Sequence, residues 1–193
     1  MIFEIDKAIL LFIRDYIVND YLTPVMKFIT ALGNSGIFWI ILCLALMIYK
    51  PTRRLGIYCT AALALEYFCC TVIIKNIVKR GRPYTKIEGL TPLIKKPGQY
   101  SFPSGHASAA LAVSYTLLRK APKKFSIPIF ILGLLICFSR LYVAVHYPSD
   151  VLGGAVLGIL FSYIGDFVVD RIQKRFVKND AAPAQAKDST ADS

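Results

Sequence analysis

Long apolar runs constrain this chain more than any other feature. Residues 37–49 are wholly apolar, and residues 55–74 carry a single charge, Glu66. Residues 104–118, 125–138 and 151–169 repeat the pattern. A soluble domain must show water a largely polar surface and cannot bury so many runs at once. The whole chain is 55% hydrophobic, with a mean hydropathy of +0.53, which points to the bilayer as the solvent. The fold expected is all-α: a polytopic membrane helical bundle of about five to six membrane helices. Several runs are shorter than the roughly 20 residues that cross a bilayer core, so polar residues at their ends must count as helix or be shielded within the bundle. Gly154 and Gly158, four residues apart in the last run, allow close helix packing.

The flanks differ from the runs. In residues 1–20, Ile5, Ile9, Leu10, Ile13 and Ile17 recur at helical spacing among Lys7, Arg14 and Asp15. That pattern predicts an interfacial amphipathic helix. The early charges, with no basic leader segment, do not resemble a cleavable signal peptide. Gly33-Asn34-Ser35-Gly36 predicts a turn. Residues 1–178 are expected to form one membrane-embedded domain. Residues 179–193, rich in Ala, Asp, Ser and Gln, are expected to form a disordered cytoplasmic tail. All five cysteines lie in apolar runs, where they act as small hydrophobes rather than as a disulfide framework.

Charge orients the bundle. The net charge of +11 does not indicate nucleic acid, because the basic residues punctuate apolar runs. The linkers 50–54 and 119–124 and the stretch 171–178 are dense in Lys and Arg and fall on one side by counting crossings. The positive-inside rule makes that side cytoplasmic, in an integral plasma (inner) membrane protein. Residues 75–103 and 139–150 then face outward. That outward loop is itself basic (Lys79, Arg80, Arg82, Lys86, Lys95, Lys96), an excess that calls for a chemical reason.

The chain has two histidines, His106 and His146, and both fall in the outward segments. Histidine suits proton transfer near neutral pH. Lys75 and Arg82-Pro83 close the 55–74 helix, with Lys79 and Arg80 between them. Such a cluster suits phosphate, for which arginine supplies a planar fork and lysine a point charge. Pro103-Ser104-Gly105-His106 opens the next helix, where free backbone N–H groups and the helix dipole favour an anion. Arg140 lies six residues before His146, and Asp150 four after it. A carboxylate there can hold one imidazole N–H and leave the other nitrogen free to attack, and it can also cap the last helix. Glu66, far along its helix from Lys75, reads as a structural hydrogen-bond partner. Loop 84–102 reads as either a headgroup contact or a solvated loop.

Lys75-x6-Arg82-Pro83, Pro103-Ser104-Gly105-His106 and Ser139-Arg140-x5-His146-x3-Asp150 resemble, in order and without departure, the three-part signature of the type 2 phosphatidic acid phosphatase superfamily. The resemblance covers roughly residues 20–175. It implies a helical membrane bundle in which His146 attacks phosphorus to give a phosphohistidine, Asp150 orients it and His106 protonates the leaving oxygen. It further implies that Lys75, Arg82, Ser104, Gly105 and Arg140 hold the phosphoryl oxygens. Three cations and a helix start can neutralise a phosphoryl group without a metal, so no metal and no cofactor are expected. The expected substrate is a lipid phosphate or diphosphate, with undecaprenyl diphosphate preferred. Phosphatidic acid and phosphatidylglycerophosphate are the alternatives, and a non-enzymatic membrane phosphate-binding protein is the remote one.

Overall fold

The computed structural model describes residues 1–188, with side chains described through Arg175, and every regular element in that range is helical. Helix α1 (Ile2–Phe12) runs into a wider π-helical turn, Ile13–Ile17. Asn19 Oδ1 accepts the amide protons of Tyr21 and Leu22, which starts α2 (Leu22–Leu32). The expected turn is present at Gly33–Gly36. Ser35 and Gly36 adopt left-handed φ values of 53° and 67°, and α3 (Ile37–Ile48) leaves at 45° to α2. Then follow α4 (Arg53–Glu66), a π-helical stretch Tyr67–Ile74 and the short α5 (Lys75–Val78). The last three helices are α6 (Gly105–Lys120), α7 (Lys123–Tyr142) and α8 (Pro148–Asp188). The α8 backbone runs through 179–188, part of the stretch expected as a tail; residues 189–193 lie outside the described residues.

Three helical stretches are long and apolar enough to cross a membrane: Lys50–Thr85, Lys123–Tyr142 and Pro148–Arg175. The bent pair α2 and α3 makes a fourth if it counts as one span. Their outer faces expose large apolar side chains, among them Ile41, Phe68, Leu134, Leu152, Val156 and Phe167. Lipid, not water, is the solvent such faces fit. Helix α6 stands apart. It has only 16 residues, and its mostly small side chains from Ala107 to Ser114, with Leu111 among them, are buried without a break.

Small residues seat this central helix, as membrane packing requires. A Cβ added at Gly154 would lie 2.6 Å from the Ser104 carbonyl oxygen and 3.2 Å from the Ala107 Cβ. At Gly165 it would lie 2.8 Å from the Ala62 backbone nitrogen. The glycines of α8 thus let α6 and α4 approach to backbone contact. At one end of the bundle, Asp166 pairs with Arg119 at 2.7 Å and Lys120 at 3.2 Å, and Asp170 accepts from the Tyr58 hydroxyl. This end carries the linkers 50–54 and 119–124.

Candidate active site

The opposite end gathers the residues quoted above. Lys75 follows directly on the π-helical stretch, and bulges of this kind re-aim side chains at functional sites. Lys79 ends α5 with a left-handed φ of 50°, which turns the chain so that Arg82 points inward. Arg82 is locked there: Nε donates to the Gln99 carbonyl at 2.8 Å, one terminal nitrogen to the Val145 carbonyl at 2.8 Å, and the other to the Tyr100 carbonyl at 3.3 Å. Lys75 Nζ reaches Gln99 Oε1 at 3.4 Å.

Helix α6 begins beside the start of α8, because the Ser104 amide donates to the Asp150 carbonyl at 3.1 Å. An added Cβ on Gly105 would lie 3.8 Å from Lys75 Nζ, so the helix start faces the lysine. Arg140, in the last turn of α7, donates to Thr30 Oγ1 at 2.5 Å. Ala144, at a left-handed φ of 58°, turns the chain between α7 and His146. His146 Nε2 then stands 3.1 Å from the Arg82 guanidinium, and Nδ1 stands 3.5 Å from Asp150 Oδ2. The second distance is longer than a hydrogen bond, as is common before a substrate tightens a site. Asp150 is fixed by its other partners: Ser101 Oγ at 2.5 Å, the Tyr147 amide at 2.9 Å and Arg80 at 2.5 Å.

Three cations, Lys75, Arg82 and Arg140, are buried here at 5%, 6% and 2% exposure. None of them forms an ion pair among the described residues. Buried, unpaired positive charge is costly, and an anion relieves it. Ser104 Oγ and Arg140 Nε are also buried without a protein partner among the described residues. Burial pushes the His146 pKa down from 6.5 to about 3; the nearby Asp150 carboxylate opposes that shift, and the charges of Arg82 and Arg140 add to it. His146 is therefore neutral at pH 7, with a lone pair available. Among the described residues no group of three or more His, Cys, Asp or Glu side chains is placed to hold a metal ion.

Every residue proposed from sequence for the site lies at this end, but two neighbours behave differently from expectation. Lys79 is exposed. Arg80 leaves the cationic cluster and pairs with carboxylates, Asp150 and Asp6. Asp6, Thr30, Gln99 and Ser101 join the site without a sequence signal for it, and Asn34 joins it from the expected turn. His106 Nε2 lies 3.2 Å from Asn34 Oδ1, so the turn between α2 and α3 holds it. A polar residue at a glycine turn was the only available signal for Asn34. Glu66 accepts from Ser108 Oγ at 2.5 Å, the structural bond expected of it. Loop 84–102 contributes its far end to the site, through Gln99, Tyr100 and Ser101.

The PAP2 superfamily model matches residues 54–172. The chain is 34% identical over 146 residues to an undecaprenyl-diphosphatase of Sulfolobus acidocaldarius, covering 74% of this chain and 68% of that one. It is 33% identical over 150 residues to an undecaprenyl-diphosphatase of Bacillus subtilis, covering 76% and 74%. Among solved structures, a transmembrane PAP2-type phosphatidylglycerolphosphate phosphatase from Bacillus subtilis superposes with a TM-score of 0.68 at 27% identity, over 88% of this chain and 86% of that one.

Proposed function

The chain belongs to the PAP2 superfamily, and from that membership we propose that it hydrolyses a lipid diphosphate, undecaprenyl diphosphate first, through a phosphohistidine on His146. That it is a lipid phosphatase of this family follows from the match itself. The observation that carries the finer reading is the set of three unpaired buried cations around a neutral His146 whose Nε2 stands beside Arg82.

In this reading the phosphoryl oxygens take donors from Lys75, Arg82, Arg140, Ser104 Oγ and the amides at the start of α6. The Nε2 lone pair of His146 forms the N–P bond as the P–O bond to the leaving group breaks. Burial, with the Arg140 charge next, holds the His106 pKa at about 2. His106 therefore gains its proton together with the anionic substrate, whose charge offsets those cations, and gives it to the departing oxygen. Water then attacks phosphorus, His106 takes the water proton, and the N–P electrons return to Nε2. Asp150 holds Nδ1–H so that Nε2 faces the phosphorus. Positive side chains do the charge neutralisation that Mg²⁺ does elsewhere, so turnover needs no divalent ion.

The topology that goes with this has five crossings: the bent α2–α3 pair, α4 with its π-helical extension, α6, α7 and α8. The basic linkers lie on the cytoplasmic side of the plasma membrane and the site lies outside. The names of the two relatives favour a prenyl diphosphate; the solved Bacillus structure favours phosphatidylglycerophosphate as the second reading. One experiment separates them. Purified protein in detergent is offered undecaprenyl diphosphate, undecaprenyl phosphate, phosphatidylglycerophosphate and phosphatidic acid, with excess chelator, and released phosphate is counted. Preference for the diphosphate supports the proposal. Preference for a glycerolipid monoester overturns the substrate, loss with chelator overturns metal independence, and binding without release of phosphate favours a non-enzymatic protein.

A further inference from the structure

The family match begins at residue 54, yet α1 reaches the His146 neighbourhood. Asp6 is 2% exposed, on the helix face it shares with the buried Leu10 and Ile13, while Ile2, Ile5, Ile9 and Phe12 point outward. Its carboxylate accepts from Arg80 at 2.8 Å, the Ser149 amide at 2.9 Å and the Ser149 hydroxyl at 2.5 Å. The same arginine donates to Asp150 at 2.5 Å and to Ser149 Oγ at 2.7 Å, and it stacks over the Tyr147 ring at 4.1 Å. Arg80 thus forks between two buried carboxylates, one of which faces His146 Nδ1.

We propose that Asp6 and Arg80 are positioning residues: they hold Asp150, and through it the His146 imidazole, so that the first helix completes the site. This rests on the reading of His146 as the nucleophile. The physical case is charge balance. Arg80 alone beside Asp150 would cancel the carboxylate that His146 needs when its imidazole gains positive character in the attack. With Asp6 on its other side, Arg80 is already neutralised, and it serves as a rigid clamp that leaves Asp150 anionic toward the imidazole. Arginine suits this task because one planar fork spans two carboxylates, which a lysine cannot do.

The test uses the full chain in detergent. Asp6→Asn keeps the shape and removes the charge; Arg80→Lys keeps the charge and removes the fork. Each is expected to lower kcat about ten- to a hundredfold, as loss of a group that orients a reacting ligand commonly does. KM is expected to stay within about twofold of the starting value, because the phosphate donors are untouched. Asp6→Glu should recover part of the loss. In an Asp150→Asn background Asp6→Asn should cost nothing further, since residues acting as a unit are non-additive. A second readout needs no turnover. With only two histidines, ¹⁵N spectra of the imidazoles report the His146 tautomer, His106→Gln giving the assignment. The Nδ1–H form should dominate in the native chain and give way to a mixture in Asp6→Asn and Arg80→Lys. An unchanged tautomer overturns the proposal, as does a loss that is equal in both backgrounds or appears only as a lower melting temperature. Failure of the native protein to form a phosphohistidine would instead strike the nucleophile assignment, while the spectra still judge the clamp.

Discussion

Gly33→Ala is expected to disable His106 without touching the phosphate donors. The backbone at Gly33 is right-handed helical, with φ −81° and ψ −6°, so alanine fits the main chain. The obstacle is the new methyl. It would lie 2.5 Å from His106 Cδ2, 3.2 Å from its Nε2 and 3.2 Å from Ile136 Cγ2. Carbon atoms rest at about 3.5–4.0 Å, so the imidazole must retreat by about 1 Å and strain its contact with Asn34. A misplacement of about 1 Å can cost on the order of 10²-fold in rate. If instead the ring holds its place, overpacking costs about 1–3 kcal/mol of stability. Turnover is measured on a lipid monophosphate and a diphosphate, alongside thermal unfolding in detergent. The monoester should lose about 10²-fold, and the diphosphate less, because its leaving phosphate needs less help from an acid. In a His106→Ala background the same glycine substitution should leave the rate alone and cost less stability, only the 3.2 Å contact with Ile136 remaining. Full activity of Gly33→Ala with unchanged stability would refute the reasoning. So would an equal rate loss with and without the imidazole.

Other outcomes follow from the same geometry. Acid-quench trapping with labelled substrate should find phosphohistidine in the native chain and none in His146→Ala. His106→Ala should keep the trapped species while turnover of a monoester falls about 10²–10⁴-fold; label on the His146→Ala protein would reverse the two roles. Because burial puts the His146 pKa near 3 in the folded protein, its neutral form persists through pH 5–8, so kcat/KM should show no His146 limb near 6.5. An acid limb near 6.5 that survives in His106→Ala would contradict this. The unfolded chain takes up the proton first, so this group's contribution to stability is complete above about pH 6.5. That contribution falls as pH drops toward 3, and denaturant titrations across this range should weaken accordingly. Lys79→Gly should raise the melting temperature by about 1–2 °C, since relief of left-handed strain of about 1–2 kcal/mol outweighs about 0.4–1 kcal/mol of added chain entropy. A lower melting temperature would count against strain at Lys79.

The helical bundle was legible because apolar runs report their solvent directly, and the turn at Gly33–Gly36 because glycine marks it. The site motifs were legible as local spacings: Lys75 with Arg82, Ser104 with His106, Arg140 with His146 and Asp150. What stayed hidden has partners far along the chain. Asp6 reads as one more charge on an amphipathic helix until Arg80 and Ser149, 74 and 143 residues away, draw it inward. Arg80 reads as one more phosphate-binding cation until two carboxylates claim it. Thr30 and Asn34 carry no periodic signal, since their value lies in which side chains the bent α2–α3 pair happens to face.

The link from Asp6 to Ser149 spans 143 residues, and this has a meaning for biogenesis. Helix α1 leaves the ribosome early, but the groups it must meet are made only when α8 begins. Until then Asp6 has no Ser149, Asp150 has not been synthesised, and Lys75 and Arg82 face no His146. Long-range closure of this kind is slow and comes late. A chain halted part-way through membrane insertion therefore contains no competent centre, and lipid hydrolysis reports molecules whose insertion is complete.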